Sequence, residues 1–308
     1  MKGLDLAEKY FKAHGLPLIQ EKFGDYANRI AAGLVGPGSE CFGYDDKFSR
    51  DHDWGPGFCL WLVEEDYHQI GDALEKAYRN LPREFAGFGP RKISAGEEGR
   101  EGVIEIKAFY RIYSGLDHPP QNLMEWLGLP EQALSVCTNG KVFYDPSGIF
   151  TEWRNRLLLF YPEDIRIKKI ASRCMTIGQS GQYNFRRSLQ REDYFAVRHA
   201  EAQFCSDVLS LVFLLNRIYS PYYKWMHQAV EELPILGKAI YTKISELVML
   251  MDYNAKIGVI ENICAMLIDT LKNEGLTNST SDFLVEHAPR IQKKIKNSDL
   301  RNHFVLTA

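Results

Sequence analysis

Residues 36–55 read GPGSECFGYDDKFSRDHDWG and place Glu40, Asp45, Asp46, Asp51 and Asp53 among glycines, aromatics and a serine. In an extended segment side chains alternate, so Asp51 and Asp53 would share one face while His52 and Trp54 take the other. Their Cα atoms would then stand about 7 Å apart, close enough for both carboxylates to converge on one hard cation. Gly38 and Ser39 stand upstream, with positions 40–50 between them and Asp51. A glycine lets backbone approach a phosphate closely, and the serine after it offers an N–H and a hydroxyl. Mg²⁺ is commonly held by one or two protein carboxylates together with substrate phosphates, so the two halves of the stretch make sense together. The structural alternative is an acidic surface loop.

Gly38-Ser39 followed at this spacing by Asp51-His52-Asp53 resembles the signature of the polymerase-beta-like nucleotidyltransferase superfamily. The strings GSECFGYDDKFSRDHDWGP, VFYDPSG, QYNFRRSLQRED and FLLNRIYSPYYKW together are similar to a bacterial family of unknown function grouped with the minimal and antibiotic-adding nucleotidyltransferases. The resemblance spans most of the chain. It implies an α+β protein, with a small mixed-sheet nucleotidyltransferase domain followed by an all-helical domain that closes the cleft. It also implies transfer of a nucleoside monophosphate from an NTP to an acceptor hydroxyl on a small molecule, an RNA end or a protein, with release of pyrophosphate. Carried over by position, Gly38 and Ser39 would hold the NTP phosphates and Asp51 and Asp53 would ligate Mg²⁺, in one- or two-ion form. A catalytically silent nucleotide-binding sensor is the alternative.

Many enzymes of this kind use a third carboxylate on a neighbouring strand. Glu105 in VIEIKAF is the candidate and Asp145 in KVFYDPSG its rival. Each also has a plain structural reading, Glu105 as an exposed strand residue beside Lys107 and Asp145 as an Asp-Pro turn starter. Asp45, Asp46 and Lys47 read as a solvated turn, and Trp54 as core. His52 reads as a packing residue facing away from the metal. In the second half, Arg186, Arg187, Arg191 and Lys224 are candidates to meet a triphosphate, Arg187 and Lys224 foremost, since Arg and Lys stabilise charge in phosphoryl transfer. Lys168 and Lys169 read as an ordinary solvent face. Packing of the Lys224 stem on Trp225 is the competing account of that residue.

The elements that position these residues follow from periodicity. Apolar residues at three- and four-residue steps from Leu4 to Ile30, interrupted by Gly15 and Pro17, predict two short helices. Phe58–Val63 predicts a buried strand, EEDYHQIGDALEKAYRNL a helix and VIEIKAFYRIY a strand. Residues 89–102 predict an exposed connection. Helical periodicity prevails from Phe150 onward, so the domains are expected at 1–150 and 151–308.

The chain has 308 residues and a formal net charge of −3, with a pI near 6.3. That balance gives no basic footprint for duplex nucleic acid. Its six cysteines show neither zinc-finger nor disulfide-framework spacing, as suits a reducing cytoplasm. The amino terminus lacks a signal-peptide pattern and no apolar run is long enough to span a bilayer. The expected partners are an NTP and a hydroxyl acceptor, without membrane, and a homodimer is compatible with the sequence.

Overall fold

The computed structural model describes residues 1–51, 53–91 and 100–306. The chain forms two compact units, one built from Met1–Gln121 and Leu129–Leu159, the other from Asn122–Gly128 and the chain from Phe160 onward.

The first unit is an α+β structure around one small sheet. Helix α1 (Gly3–Tyr10) runs through a wide π-helical turn, Phe11–Gly15, directly into α2 (Leu16–Lys22). The expected break at Gly15 and Pro17 is therefore a widening rather than an interruption. Pro17 sits in the first turn of α2, where its missing N–H costs nothing. At Gly15 a Cβ would come within 2.5 Å of the Phe58 ring, so the small residue sets how closely the helix approaches the sheet.

Strands β1 (Ala31–Leu34) and β2 (Cys59–Leu62) are antiparallel neighbours, and the whole stretch from Val35 to Phe58 is the connection between them. Helix α3 (Glu64–Arg79) then crosses to β3 (Gly102–Glu105), which lies parallel to β2, as a helical crossover permits. The sequence VIEIKAFYRIY splits here, because α4 (Ile106–Ser114) begins immediately after the strand. Ile106, Phe109 and Tyr110 are buried at helical spacing, and that periodicity overrides the strand preference of aromatic and β-branched residues. After α5 (Leu123–Gly128), which belongs to the second unit, come α6 (Glu131–Thr138), β4 (Lys141–Tyr144) and α7 (Ile149–Leu158). The sheet order is β3-β2-β1-β4, with β4 antiparallel to β1.

Strand β2 is buried on both faces. Phe58, Leu60 and Leu62 join Phe11, Ile19, Leu74 and Tyr78 in one cluster. On the opposite face Trp61 stacks on Phe150 at 3.9 Å and meets Phe109 edge-on. The chain thus passes to the second unit at Phe160 rather than at the expected 150, because Phe150 on α7 is part of the sheet's own core.

The second unit is helical: α8 (Glu163–Ile177), a π-helical stretch Gly178–Phe185 leading into α9 (Arg186–Gln190), α10 (Tyr194–Leu215), α11 (Tyr223–Val230), α12 (Gly237–Met249), α13 (Tyr253–Asn273) and the short α14 (Ala288–Gln292) and α15 (Ser298–Asn302). Lys168 and Lys169 on α8 are buried, contrary to the solvent face expected of them. The Lys168 ammonium donates to the carbonyls of His303 and Phe304, and burial lowers its pKa. Lys169 lies 5.0 Å from the Tyr161 ring. Among the described residues no helix is long and apolar enough to cross a membrane.

Phe150→Ala is expected to destabilise the first unit by about 3–5 kcal/mol, the usual cost of removing a buried aromatic. Urea unfolding followed by tryptophan fluorescence measures it, and a cost below about 0.5 kcal/mol would remove α7 from this core.

Candidate active site

Because β1 and β2 are antiparallel, the end of one and the start of the other lie at the same edge of the sheet, with Gly33 opposite Cys59. Gly38-Ser39 and Asp51/Asp53 belong to the connection between them. The start of β3 lies at that end too, with Gly102 opposite Cys59.

Gly38 is extended and caps a single 3₁₀ turn, Ser39–Phe42. A Cβ at Gly38 would stand 2.5 Å from the Glu40 carboxylate, so here the absent side chain makes room for a carboxylate folded back over the backbone. Glu40 is 2% exposed and ion-paired to Arg91, itself buried. Arg91 also contacts the other half of the motif, since its backbone lies 3.0 Å from where a Cβ on Gly55 would be. Gly55 has φ +146°, a conformation open to glycine. Arg91 therefore joins the Gly38-Ser39 side to the Asp53 side.

Asp51 and Asp53 lie in an irregular turn after the 3₁₀ turn Phe48–Arg50, six to eight residues ahead of β2, and not on a strand. Side-chain alternation therefore does not set their directions. Asp51 is exposed, at a helical φ of −74°, whereas Asp53 is buried in the left-handed region at φ +50°, which Asp and Asn tolerate better than other side chains. The Asp53 carboxylate stands 3.4 Å from the Arg100 guanidinium. His52, and with it the reading that it faces away from a metal, lies outside the described residues.

Asp45 is not part of a solvated turn. It is 4% exposed and accepts hydrogen bonds from the Gly3 backbone N–H and the Trp54 indole, with Lys2 at 3.6 Å. Asp46 does remain exposed, accepting from the N–H groups of Phe48 and Ser49. Arg50 lies over the rings of Trp54 and Phe88, and Trp54 is core, as its type predicts.

The register separates both proposed third carboxylates from this edge. Glu105 pairs with Leu62 at the far end of β3, about 10 Å along the strand from Gly102 at roughly 3.3 Å per residue. Asp145 follows Tyr144, which pairs with Ala32 near the start of β1. Asp145 accepts hydrogen bonds from the N–H groups of Gly148 and Thr151 and from the Ser147 and Thr151 hydroxyls, so it holds the entry to α7 as its turn-forming reading predicts. Among the described residues no three His, Cys, Asp or Glu side chains are grouped to hold a metal ion. The donor set at this edge is thus two hard carboxylates, Asp51 and Asp53. It suits a Mg²⁺ ion that draws its remaining ligands from water and substrate phosphates.

Arg187 and Lys224 lie in the second unit and both are exposed. Arg187 bonds the Tyr183 hydroxyl and lies over that ring, and the Lys224 ammonium lies 5.0 Å from the Trp225 ring centre, in line with its packing account. Arg186 is paired with Glu261.

Two further charged residues emerge from the connection at 89–102, whose positions 92–99 lie outside the described residues. Arg91 and Glu101 have side chains only 3% and 9% exposed. Burial raises the pKa of Glu101, an effect that Arg91 and Arg79 partly offset. Burial works against the Arg91 charge, but Glu40 and Glu101 more than compensate and raise its pKa. Nothing in the composition of GPRKISAGEEGREG separates these two residues from their solvated neighbours.

A family model described as Domain of unknown function (DUF4037) matches residues 126–226. No curated protein matches the chain in sequence. Among solved structures, the chain is similar to a nucleotidyltransferase-like protein from Exiguobacterium sibiricum 255-15, at 10% identity and a TM-score of 0.39, over 92% of this chain and 81% of the other.

Asp45→Ala would strand two buried donors, the Gly3 N–H and the Trp54 indole, at about 1–3 kcal/mol each. A loss of at least about 2 kcal/mol in chemical unfolding is expected. A change within about 0.5 kcal/mol would mean that Asp45 does not anchor the connection.

Proposed function

We propose that this protein is a Mg²⁺-dependent nucleotidyltransferase that moves a nucleoside monophosphate from an NTP to an acceptor hydroxyl. The observation that carries the reading is the arrival of Gly38-Ser39 and Asp51/Asp53 in one connection at one edge of the sheet, joined through Arg91. In this reading the backbone and hydroxyl at Gly38-Ser39 receive the phosphate chain. Asp51 and Asp53 hold the cation, which when bound neutralises phosphate charge and orients the phosphoryl group. Arg100, within 3.4 Å of Asp53, keeps that carboxylate oriented before the cation arrives and supplies a positive charge for a phosphate oxygen afterwards.

A catalytically silent nucleotide sensor is the second reading. It is favoured by the distance of Glu105 and Asp145 from Asp51/Asp53, since two metal ligands without a third carboxylate preserve binding more readily than transfer.

The test is incubation with each α-³²P-labelled NTP and Mg²⁺, with cell extract as acceptor pool, following label transfer and pyrophosphate release. Asp51→Ala and Asp53→Asn are each expected to lower transfer on the order of a hundredfold or more. Asn is chosen at position 53 because it tolerates the left-handed backbone there. Transfer unaffected by either variant would sink the assignment, and Mg-NTP binding without product would select the sensor.

A further inference from the structure

A cavity of about 250 Å³ in the first unit lies beside the connection that carries Asp53, with Pro56 in its wall. Tyr10, Tyr78 and Leu81 supply further apolar surface, and the two tyrosine hydroxyls are engaged, Tyr10 donating to the Pro82 carbonyl and Tyr78 accepting from the Phe58 N–H. The cavity's remaining hydrogen-bonding capacity is concentrated at one place. Glu101 Oε1 accepts from Arg79 at 3.1 Å, but Glu101 Oε2 and Arg91 Nε, 4.0 Å apart, close no hydrogen bond within the protein. The Tyr78 hydroxyl stands beside the Glu101 carboxylate without satisfying Oε2. Both side chains are more than nine-tenths buried. A buried acceptor next to a buried donor, each unmade, costs free energy unless another group supplies the complement.

That complement is an edge with an N–H donor beside an acceptor, carried on a flat body that suits tyrosine, proline and leucine walls. Heteroaromatic bases have such edges. Arg83, exposed at the cavity and without an ion pair among the described residues, adds a positive charge where an anionic substituent would lie. Drug-sized pockets run roughly 300–1,000 Å³, so this one accommodates a base-sized body and leaves the rest of a nucleotide outside.

We infer that this cavity is a mononucleotide site, with the base edge hydrogen-bonded to Glu101 and Arg91 and the phosphate toward Arg83. This site does not depend on the transfer reaction proposed above.

Isothermal titration of the full chain with AMP, GMP, CMP and UMP in EDTA tests it, because without divalent cation the Asp51/Asp53 seat is not engaged. Saturable binding of at least one nucleotide is expected, weakened about tenfold or more by Glu101→Gln and by Arg83→Ala, the range for a lost hydrogen bond to a charged group, and unchanged by Asp51→Ala. Arg83 is exposed, so Arg83→Ala carries the test if circular dichroism shows Glu101→Gln to be unfolded. The inference is overturned if none of the four binds, if inorganic phosphate binds as tightly as the nucleotide, or if binding responds to Asp51→Ala and not to the cavity variants. That last result would leave the transferase proposal standing, whereas cavity binding without any transfer of label would overturn only the transferase.

Discussion

The Arg91 guanidinium, buried between Glu40 and Glu101, is the interaction on which the motif's geometry depends. A cation out of water is tolerable only with carboxylates in reach, and each of these acids comes from a different segment: Glu40 from the turn after β1, Glu101 from the entry to β3. Satisfying the one charge therefore fixes three pieces of chain that have no regular secondary structure of their own. Glu101 extends the network to Arg79 and Glu75 on α3, and Glu75 in turn accepts from the Val103 N–H of β3. An irregular connection of this length is held in place by its few buried polar contacts rather than by a ladder of backbone hydrogen bonds. Removing one partner of such a network costs far more than the net worth of the pair, because the other charge is left without compensation.

The sheet supplies the frame for this cluster. Strand β2 is apolar on both faces, with Phe58, Leu60 and Leu62 against α1, α2 and α3 and Trp61 against α4 and α7. Its pairing with β1 brings the two ends of the connection together, and its parallel pairing with β3 brings Arg100 to Asp53. The same register carries Glu105 away to the other end. Strand direction thus decides which carboxylates can meet, and sequence spacing does not.

Much of this was legible in the sequence wherever hydrophobic period and local chemistry agreed. The α+β class, the buried strand in FCLWLV, the long helix that follows it and the helical second half could all be read from periodicity. The same signals failed where two periods overlapped, as in VIEIKAFYRIY, where four strand residues run straight into a helix. They failed again for charged residues in loops. Asp45, Arg91 and Glu101 resemble their solvated neighbours in type, and only the partners brought to them by distant segments reveal that they are buried. Lys168 and Lys169 show the same limit on a helix, since adjacent lysines are usually solvated and the acceptors for Lys168 lie far along the chain at His303 and Phe304.

That last contact gives residues 303–304 a meaning their composition hides. Two backbone carbonyls near the end of the described chain are the solvation shell of an ammonium group inside the second unit, replacing the water it gave up on folding. A chain shortened ahead of His303 would lose no regular element after α15, yet would leave a buried cation with nothing to accept its protons. Lys168 would then favour its neutral form or draw water into the helical core. What looks like a trailing segment is, in electrostatic terms, an internal solvent for α8.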